Sequence, residues 1–209
     1  MQNFADRLDL SIQEKKSCLV VGLDPVLDRL PPEVLYEVGV PNAGEPGWTA
    51  RAASATGIFL RGVIDAVAPH AVAVKPNAGF FERFGAVGWD CLRQVSEYAA
   101  KQGLLVICDA KRGDIGNTAA AYAEGLLGDT PDTLGPVTDA VTLNPYLGED
   151  SLRPFIDRCS AGKGLFLLVR TSNPSGADLQ ELDVAGEPLY LKVARLVEKW
   201  GAGSRGERG

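Results

Sequence analysis

The chain has 209 residues, of which 45% are hydrophobic and 23% are charged, and its formal net charge is −6. This composition predicts one folded domain with a sizeable core and argues against a disordered chain. The acidic balance, with no basic patch interleaved with aromatic residues, disfavours a nucleic acid partner.

The amino-terminal residues and the cysteines predict a cytoplasmic protein. Acidic and basic side chains are spread through the first twenty residues, which lack the apolar segment of a secretory signal. No apolar run reaches membrane-spanning length. The four cysteines, Cys18, Cys91, Cys108 and Cys159, lie far apart without a CxxC pair, which disfavours zinc or a disulfide framework. Cys18 and Cys108 lie in apolar runs, and we expect both to be buried.

Five short apolar runs have the character of strands that are buried on both faces of a parallel sheet. They cover residues 18–23, 71–74, 104–108, 140–143 and 165–169. Apolar residues recur at helical spacing in the segments 50–67, 89–101, 115–127, 150–158 and 188–200. The alternation of strand and helix favours an α/β fold with right-handed crossovers.

Three segments depart from this alternation. Residues 30–57, between the first two strands, are rich in proline and glycine and predict an inserted surface loop or lid-like excursion. Residues 128–138 predict a second loop of Gly, Pro, Asp and Thr residues. Residues 201–209 read as a polar tail.

Each predicted strand is followed at once by polar residues. These are Asp24 after the first, Lys75 and Asn77 after the second, Asp109 and Lys111 after the third, Asn144 after the fourth, and 170–173 after the fifth. In a parallel α/β barrel, as in an open doubly wound sheet, the carboxyl ends of the strands lie on the face that holds the active site. We therefore expect these side chains to converge in space.

Asp109 and Lys111 are two positions apart, so both should project to the same side of the third strand. Such a pair at about 4 Å gains about 4 kcal/mol of Coulomb attraction at an effective dielectric near 20, and desolvation offsets much of it. A functional reason is therefore favoured. Lys75, from the neighbouring strand, should add a second ammonium beside Asp109. A lysine near carboxylates stays protonated, so Lys111 is a better acid than a Schiff-base nucleophile.

Asp114 and His70 have simpler structural interpretations. Asp114 follows Gly113, which breaks the strand, and it suits both an N-cap of the next helix and a functional carboxylate. Thr118 lies one helical turn later, on the same face. His70, the only histidine, precedes the second strand at its amino end. We expect it on the surface, which disfavours histidine-based catalysis.

The segment DAKRGDIGNT, from Asp109, resembles the DxKxxD motif and the following I-x-x-T of orotidine 5'-phosphate decarboxylases. GLDP, VKPN, TLNPYLGEDSLRPF and RTSNPSG, beginning at positions 22, 74, 142 and 170, extend the resemblance over the whole chain. It is most similar to the bacterial subgroup with a long insertion after the first strand. The resemblance implies a TIM (β/α)8 barrel that converts orotidine 5'-monophosphate to UMP, the last step of de novo pyrimidine biosynthesis, without cofactor or metal.

The resemblance also implies the roles of the charged residues. Lys75, Asp109 and Lys111 would form a charge array at C6 of the substrate, and Asp114 would join it from the other subunit of a homodimer. Lys111 would donate the proton to C6, and Asp109 would lie near the departing carboxylate.

The remaining site residues would bind the nucleotide. Asp24 and Thr118 would contact ribose hydroxyls, Thr118 across the dimer interface, and Ser172 would contact the pyrimidine. Asn77 and Asn144 would support these groups.

The main departure from the family is length. The resemblance calls for eight strands, a Gly-rich phosphate loop and a late arginine, and this sequence shows about five strands and neither phosphate-binding element. We expect residues 1–209 to be a single barrel domain of a truncated or incompletely recorded chain, with impaired turnover and exposed sheet edges.

Two alternatives remain open. One is a related sugar-phosphate decarboxylase or synthase that shares DxKxxD and typically uses a metal. The other is a non-catalytic truncated fragment that binds nucleotide weakly or serves in dimerisation.

Overall fold

Five parallel strands form one sheet in the computed structural model, which describes residues 2–128, 135 and 137–208. The strands are β1 (Val20–Leu23), β2 (Ala73–Pro76), β3 (Leu105–Arg112), β4 (Ala140–Leu143) and β5 (Gly164–Leu167). Their order in the sheet is their order in the chain, and each pairs in parallel with the next. A doubly wound sheet reverses its strand order, whereas a (β/α) barrel does not, so the order is that of consecutive barrel strands.

The α-helices of the described residues follow the predicted alternation. They are α1 (Phe4–Lys15), α2 (Pro32–Val38), α3 (Trp48–Val67), α4 (Gly79–Glu82), α5 (Ala86–Lys101), α6 (Gly116–Leu127), α7 (Glu149–Ile156), α8 (Ala177–Gln180) and α9 (Leu189–Gly201). The five predicted helices correspond to α3, α5, α6, α7 and α9. The helices α1, α2, α4 and α8 were not predicted.

Residues 30–57 are more regular than a surface loop. The segment contains α2 and the first ten residues of α3, so only 30–31 and 39–47 lie outside a helix. Pro32 begins α2, where a missing N–H costs nothing, and Gly39 ends it at a φ of 64°. Pro32 and Gly39 are therefore helix boundary residues, whereas Pro41, Gly44 and Pro46 lie in the part without a helix.

The core lies between the sheet and the helices that cover it. Leu60 and Ile64 of α3 and Leu92 and Val95 of α5 are almost fully buried against it. A second cluster at the amino ends of the strands includes Phe4 of α1. The helix α1 thus closes the amino end of the sheet, which leaves the carboxyl ends for a site.

The sequence also predicted whether two cysteines and His70 are buried. Cys108 is buried, but Cys18 is exposed, because it lies in the connection before β1 begins; its predicted burial is wrong. His70 is exposed, as expected.

Of the predicted loop 128–138, residues 129–134 and 136 lie outside the described residues. The described helices include none that is long and apolar enough to cross a membrane.

The fifth strand and the last helix leave apolar surface uncovered. Phe166 of β5 is 41% exposed, and Leu191 and Leu196 of α9 are also exposed. No residue of α9 is buried. This side of the sheet therefore exposes apolar side chains to solvent.

Candidate active site

The candidate site centres on the Asp109 carboxylate at the carboxyl end of β3. Lys75 Nζ of β2 lies 2.8 Å from Asp109 Oδ2, and Lys111 Nζ lies 2.6 Å from Asp109 Oδ1. Asp109 is 6% exposed, whereas the side chains of Lys75 and Lys111 are 35% and 48% exposed. The predicted contact of two ammonium groups with one carboxylate is present, with the carboxylate buried and the ammonium groups reaching solvent.

Thr142 of β4 completes the surroundings of Asp109. Its hydroxyl donates a hydrogen bond to Asp109 Oδ1 at 2.8 Å and accepts one from the Lys111 amide at 2.9 Å. Sequence reasoning missed Thr142, although its position in the strand before Asn144 placed a polar side chain in an otherwise apolar run.

The electrostatics of Asp109 follow from these contacts. Burial by itself raises the pKa of the carboxyl group, but hydrogen bonds from Lys111, Lys75 and Thr142 outweigh burial and lower the pKa to about 2. The carboxylate is therefore ionised at neutral pH and serves as a hydrogen-bond acceptor, not as an acid.

The backbone of β3 is irregular where it presents these residues. Cys108 pairs with Val141 of β4, and Arg112 pairs with Leu143. Four residues of β3 therefore advance along only two residues of β4, so β3 bulges here. Lys111 has a φ of 46°, in the left-handed region, which costs a non-glycine residue on the order of 1 kcal/mol. Bulges redirect side chains next to functional sites. The sequence placed the break of the strand at Gly113, whereas the irregularity lies between Cys108 and Arg112.

A second polar group lies beside Asp109, at the ends of β1 and β2. Asn77 donates a hydrogen bond from Nδ2 to Asp24 Oδ1 at 3.1 Å, and Asn77 pairs with Asp109 through an isolated bridge. A Cβ added at Gly22 would lie 2.7 Å from Asp24 Oδ2. The missing side chain of Gly22 therefore makes room for the Asp24 carboxylate.

The next two predicted residues lie at the start of α6. The Asp114 carboxylate accepts a hydrogen bond from the Ile115 amide at 2.8 Å, and Ile115 is the N-cap residue, with no side-chain cap. The N-cap interpretation of Asp114 is therefore wrong, because the helix begins at Gly116, two residues later. Thr118 is exposed in the first turn of α6.

Asn144 and Ser172 follow β4 and β5. Asn144 Oδ1 accepts a hydrogen bond from the Tyr146 amide at 3.0 Å and begins the turn Pro145–Leu147. Ser172 is exposed in the loop after β5. Within the residues that the structure describes, Asp114, Thr118, Asn144 and Ser172 make none of the contacts around Asp109. The part of the chain that the structure describes contains no group of three or more His, Cys, Asp or Glu side chains that could hold a metal ion.

Consecutive parallel strands with a lysine and carboxylate cluster at their carboxyl ends define a (β/α)-barrel protein with an enzyme-like site. The sequence model of the Orotidine 5'-phosphate decarboxylase / HUMPS family matches residues 59–205. The chain belongs to this family.

Individual relatives agree with the family match. An orotidine 5'-phosphate decarboxylase of Haloarcula marismortui is 45% identical over 199 residues, covering 95% of this chain and 64% of the relative. One of Caldicellulosiruptor saccharolyticus is 39% identical over 214 residues, covering 100% of this chain and 69% of the relative. The solved structure of the Leishmania donovani OMP decarboxylase matches with a TM-score of 0.74 and 36% identity, covering 96% of this chain and 67% of that one. The chain thus spans about two thirds of the length of these relatives.

Proposed function

We propose that the chain decarboxylates orotidine 5'-monophosphate to UMP. The observation that carries the proposal is the buried Asp109 carboxylate held between the ammonium groups of Lys75 and Lys111. The relatives from Haloarcula marismortui and Caldicellulosiruptor saccharolyticus both carry the name orotidine 5'-phosphate decarboxylase.

The proposed reaction breaks the bond between C6 and the carboxylate of the substrate. The electron pair of that bond stays on C6, neutral CO₂ leaves, and the Lys111 ammonium gives its proton to C6. Fixed ammonium groups stabilise the negative charge that develops at C6, because they are already oriented before the reaction begins. Water then returns a proton to Lys111.

The ionisation of Asp109 supports the assignment of Lys111, and not Asp109, as the proton donor. Its pKa of about 2 keeps it anionic, so that the lysine and not the aspartic acid holds the transferable proton. An anionic Asp109 also orients both ammonium groups. In the proposed complex it lies near the substrate carboxylate, and the repulsion between the two is relieved as CO₂ leaves.

The nucleotide contacts form the finer part of the proposal. Asp24, oriented by Asn77, binds a ribose hydroxyl, Ser172 contacts the pyrimidine, and Asn144 supports the turn beside it. Thr118 and Asp114, at the start of α6, serve the site of the second subunit of a homodimer. Within the described residues of one chain, the polar partners of Asp109 are Lys75, Lys111 and Thr142, which leaves Asp114 and Thr118 available to the second subunit. We also propose a cytoplasmic location.

Length bears on the rate. The relatives are longer, and this sequence shows no Gly-rich phosphate loop or late arginine. Binding energy from a remote phosphate lowers the barrier at the reacting carbon. We therefore propose that residues 1–209 by themselves turn over more slowly than the longer relatives.

The test follows the loss of absorbance as orotidine 5'-monophosphate becomes UMP. Lys111→Ala should abolish turnover with the fold intact, whereas Lys101→Ala, an exposed lysine at the end of α5, should leave the rate unchanged. If the unaltered chain binds 6-substituted UMP but forms no UMP, the chain is a nucleotide-binding fragment and the proposed activity is wrong.

A further inference from the structure

Arg112 follows Lys111 directly and joins the segments that leave β2 and β3. Its guanidinium forms an ion pair with Glu82, the last residue of α4, and the side chains of Arg112 and Glu82 are 22% and 33% exposed. The helix α4 begins two residues after Asn77, in the segment that carries Lys75. The Arg112 side chain thus connects the two segments that supply the lysines.

The same guanidinium also contacts β3 itself and α6. Arg112 Nη1 donates a hydrogen bond to the Ala110 carbonyl at 3.3 Å, so the side chain reaches back across Lys111. Its Cζ lies 5.5 Å from the centroid of the Tyr122 ring, within cation–π range. A planar guanidinium can satisfy these directions together, which a lysine ammonium cannot.

The backbone of Lys111 needs such restraint. Its φ of 46° is unfavourable for a residue with a side chain and persists only where the surroundings hold it. On the β4 side, the Thr142 hydroxyl accepts a hydrogen bond from the Lys111 amide. The Arg112 carbonyl accepts a hydrogen bond from the Asn144 amide at 2.8 Å. On the helix side, the corresponding restraint is the Arg112 side chain.

We infer that Arg112 is a positioning residue that keeps the Lys111 backbone left-handed and so holds the Lys111 ammonium against Asp109. The lysine side chain is 48% exposed, so the direction of its backbone decides where the ammonium lies. Relaxation of Lys111 to an extended conformation would turn the side chain away from Asp109. The consequence for turnover rests on the proposed decarboxylation, whereas the consequence for Asp109 and the Lys111 amide does not.

The test uses Arg112→Lys, which keeps the positive charge but loses the planar fork, and Glu82→Gln, which removes the ion pair. Arg158→Lys is the matched control, because Arg158 pairs with Glu124 of α6 away from the site. Hydrogen exchange of the Lys111 amide at pH 7 and NMR titration of the Asp109 carboxyl carbon are measured in all four proteins. Circular dichroism verifies that each variant is folded.

Both Arg112→Lys and Glu82→Gln should speed exchange of the Lys111 amide and raise the pKa of Asp109 by about one unit, and the control should do neither. With orotidine 5'-monophosphate, kcat should fall roughly 10-fold or more at a KM within about twofold, because a displaced proton donor affects the chemical step. Wild-type exchange and wild-type Asp109 titration in both variants would overturn the positioning role. If the variants shift exchange and titration while the unaltered chain forms no UMP, the positioning role stands and the proposed activity fails.

Discussion

The Thr142 hydroxyl donates a hydrogen bond to Asp109 Oδ1 at 2.8 Å and accepts one from the Lys111 amide at 2.9 Å. One side chain of β4 thereby restrains both the carboxylate and the backbone of the lysine that pairs with it. Thr142 is 7% exposed, so water cannot readily replace either hydrogen bond.

Thr142→Val should lower the free energy of unfolding by about 1–3 kcal/mol, because it leaves two buried polar groups short of a partner. It should also lower kcat for orotidine 5'-monophosphate. Thr138→Val is the matched control: Thr138 is also buried, at 3% exposed, and its hydroxyl donates a hydrogen bond to the Leu126 carbonyl, away from Asp109. Urea denaturation and steady-state kinetics should show both variants destabilised and only Thr142→Val slowed. Equal kcat in the two variants would argue against a role of Thr142 at the site.

Acid should weaken the fold through Asp109. The carboxyl pKa is about 2 in the folded chain, below its ordinary value of 3.8. The stabilisation is therefore fully present above about pH 4 and is lost as the pH falls towards 2, and its size is about 2 kcal/mol. Denaturation series between pH 5 and pH 2 should show the stability gap between the unaltered chain and Asp109→Asn narrowing by that amount. A gap that does not change with pH would contradict the cited shift.

Shared sites in a homodimer predict rescue between two inactive variants. Lys111→Ala and Asp114→Ala should each abolish turnover, whereas a 1:1 mixture of the subunits should recover about a quarter of the wild-type activity. Half of the dimers would be mixed, and each would contain one site with both residues intact. Mass spectrometry of the intact complexes must show mixed dimers; their presence without recovered activity would disprove the assignment of Asp114 to the partner's site.

Gly22→Ala should displace the Asp24 carboxylate, since the new Cβ would lie 2.7 Å from Asp24 Oδ2. The carboxylate is the end of a flexible side chain, so the fold should survive while KM for orotidine 5'-monophosphate rises several-fold. Gly62→Ala in α3 is the control, because nothing lies within 4 Å of its added Cβ. That change should stabilise the helix by about 0.5–1 kcal/mol and leave KM unchanged. An unchanged KM in Gly22→Ala would remove Asp24 from the ribose site.

Residue type and spacing were enough to locate the strands. Buried parallel strands read as continuous apolar runs, and β4 has the predicted bounds of 140–143. The apolar run of the third strand covers 104–108, and β3 extends to Arg112, because Asp109 and Lys111 continue the strand with polar side chains. Asp114 suited an N-cap in the sequence, yet the helix begins two residues later.

The sequence alone determined the α/β class and the pairing of Asp109 with lysines, because these depend on apolar runs, on the alternation of side chains along one strand and on polar residues at the ends of neighbouring strands. The family resemblance rests on short motifs such as DAKRGDIGNT. The residue pattern by itself fitted both a barrel and a doubly wound sheet, and the family resemblance implied the barrel. Only the tertiary structure decided the sequential strand order, the left-handed turn at Lys111 and the part played by Thr142 and Arg112. These depend on which strands and helices become neighbours, and contacts between distant segments leave no periodic signal in the chain.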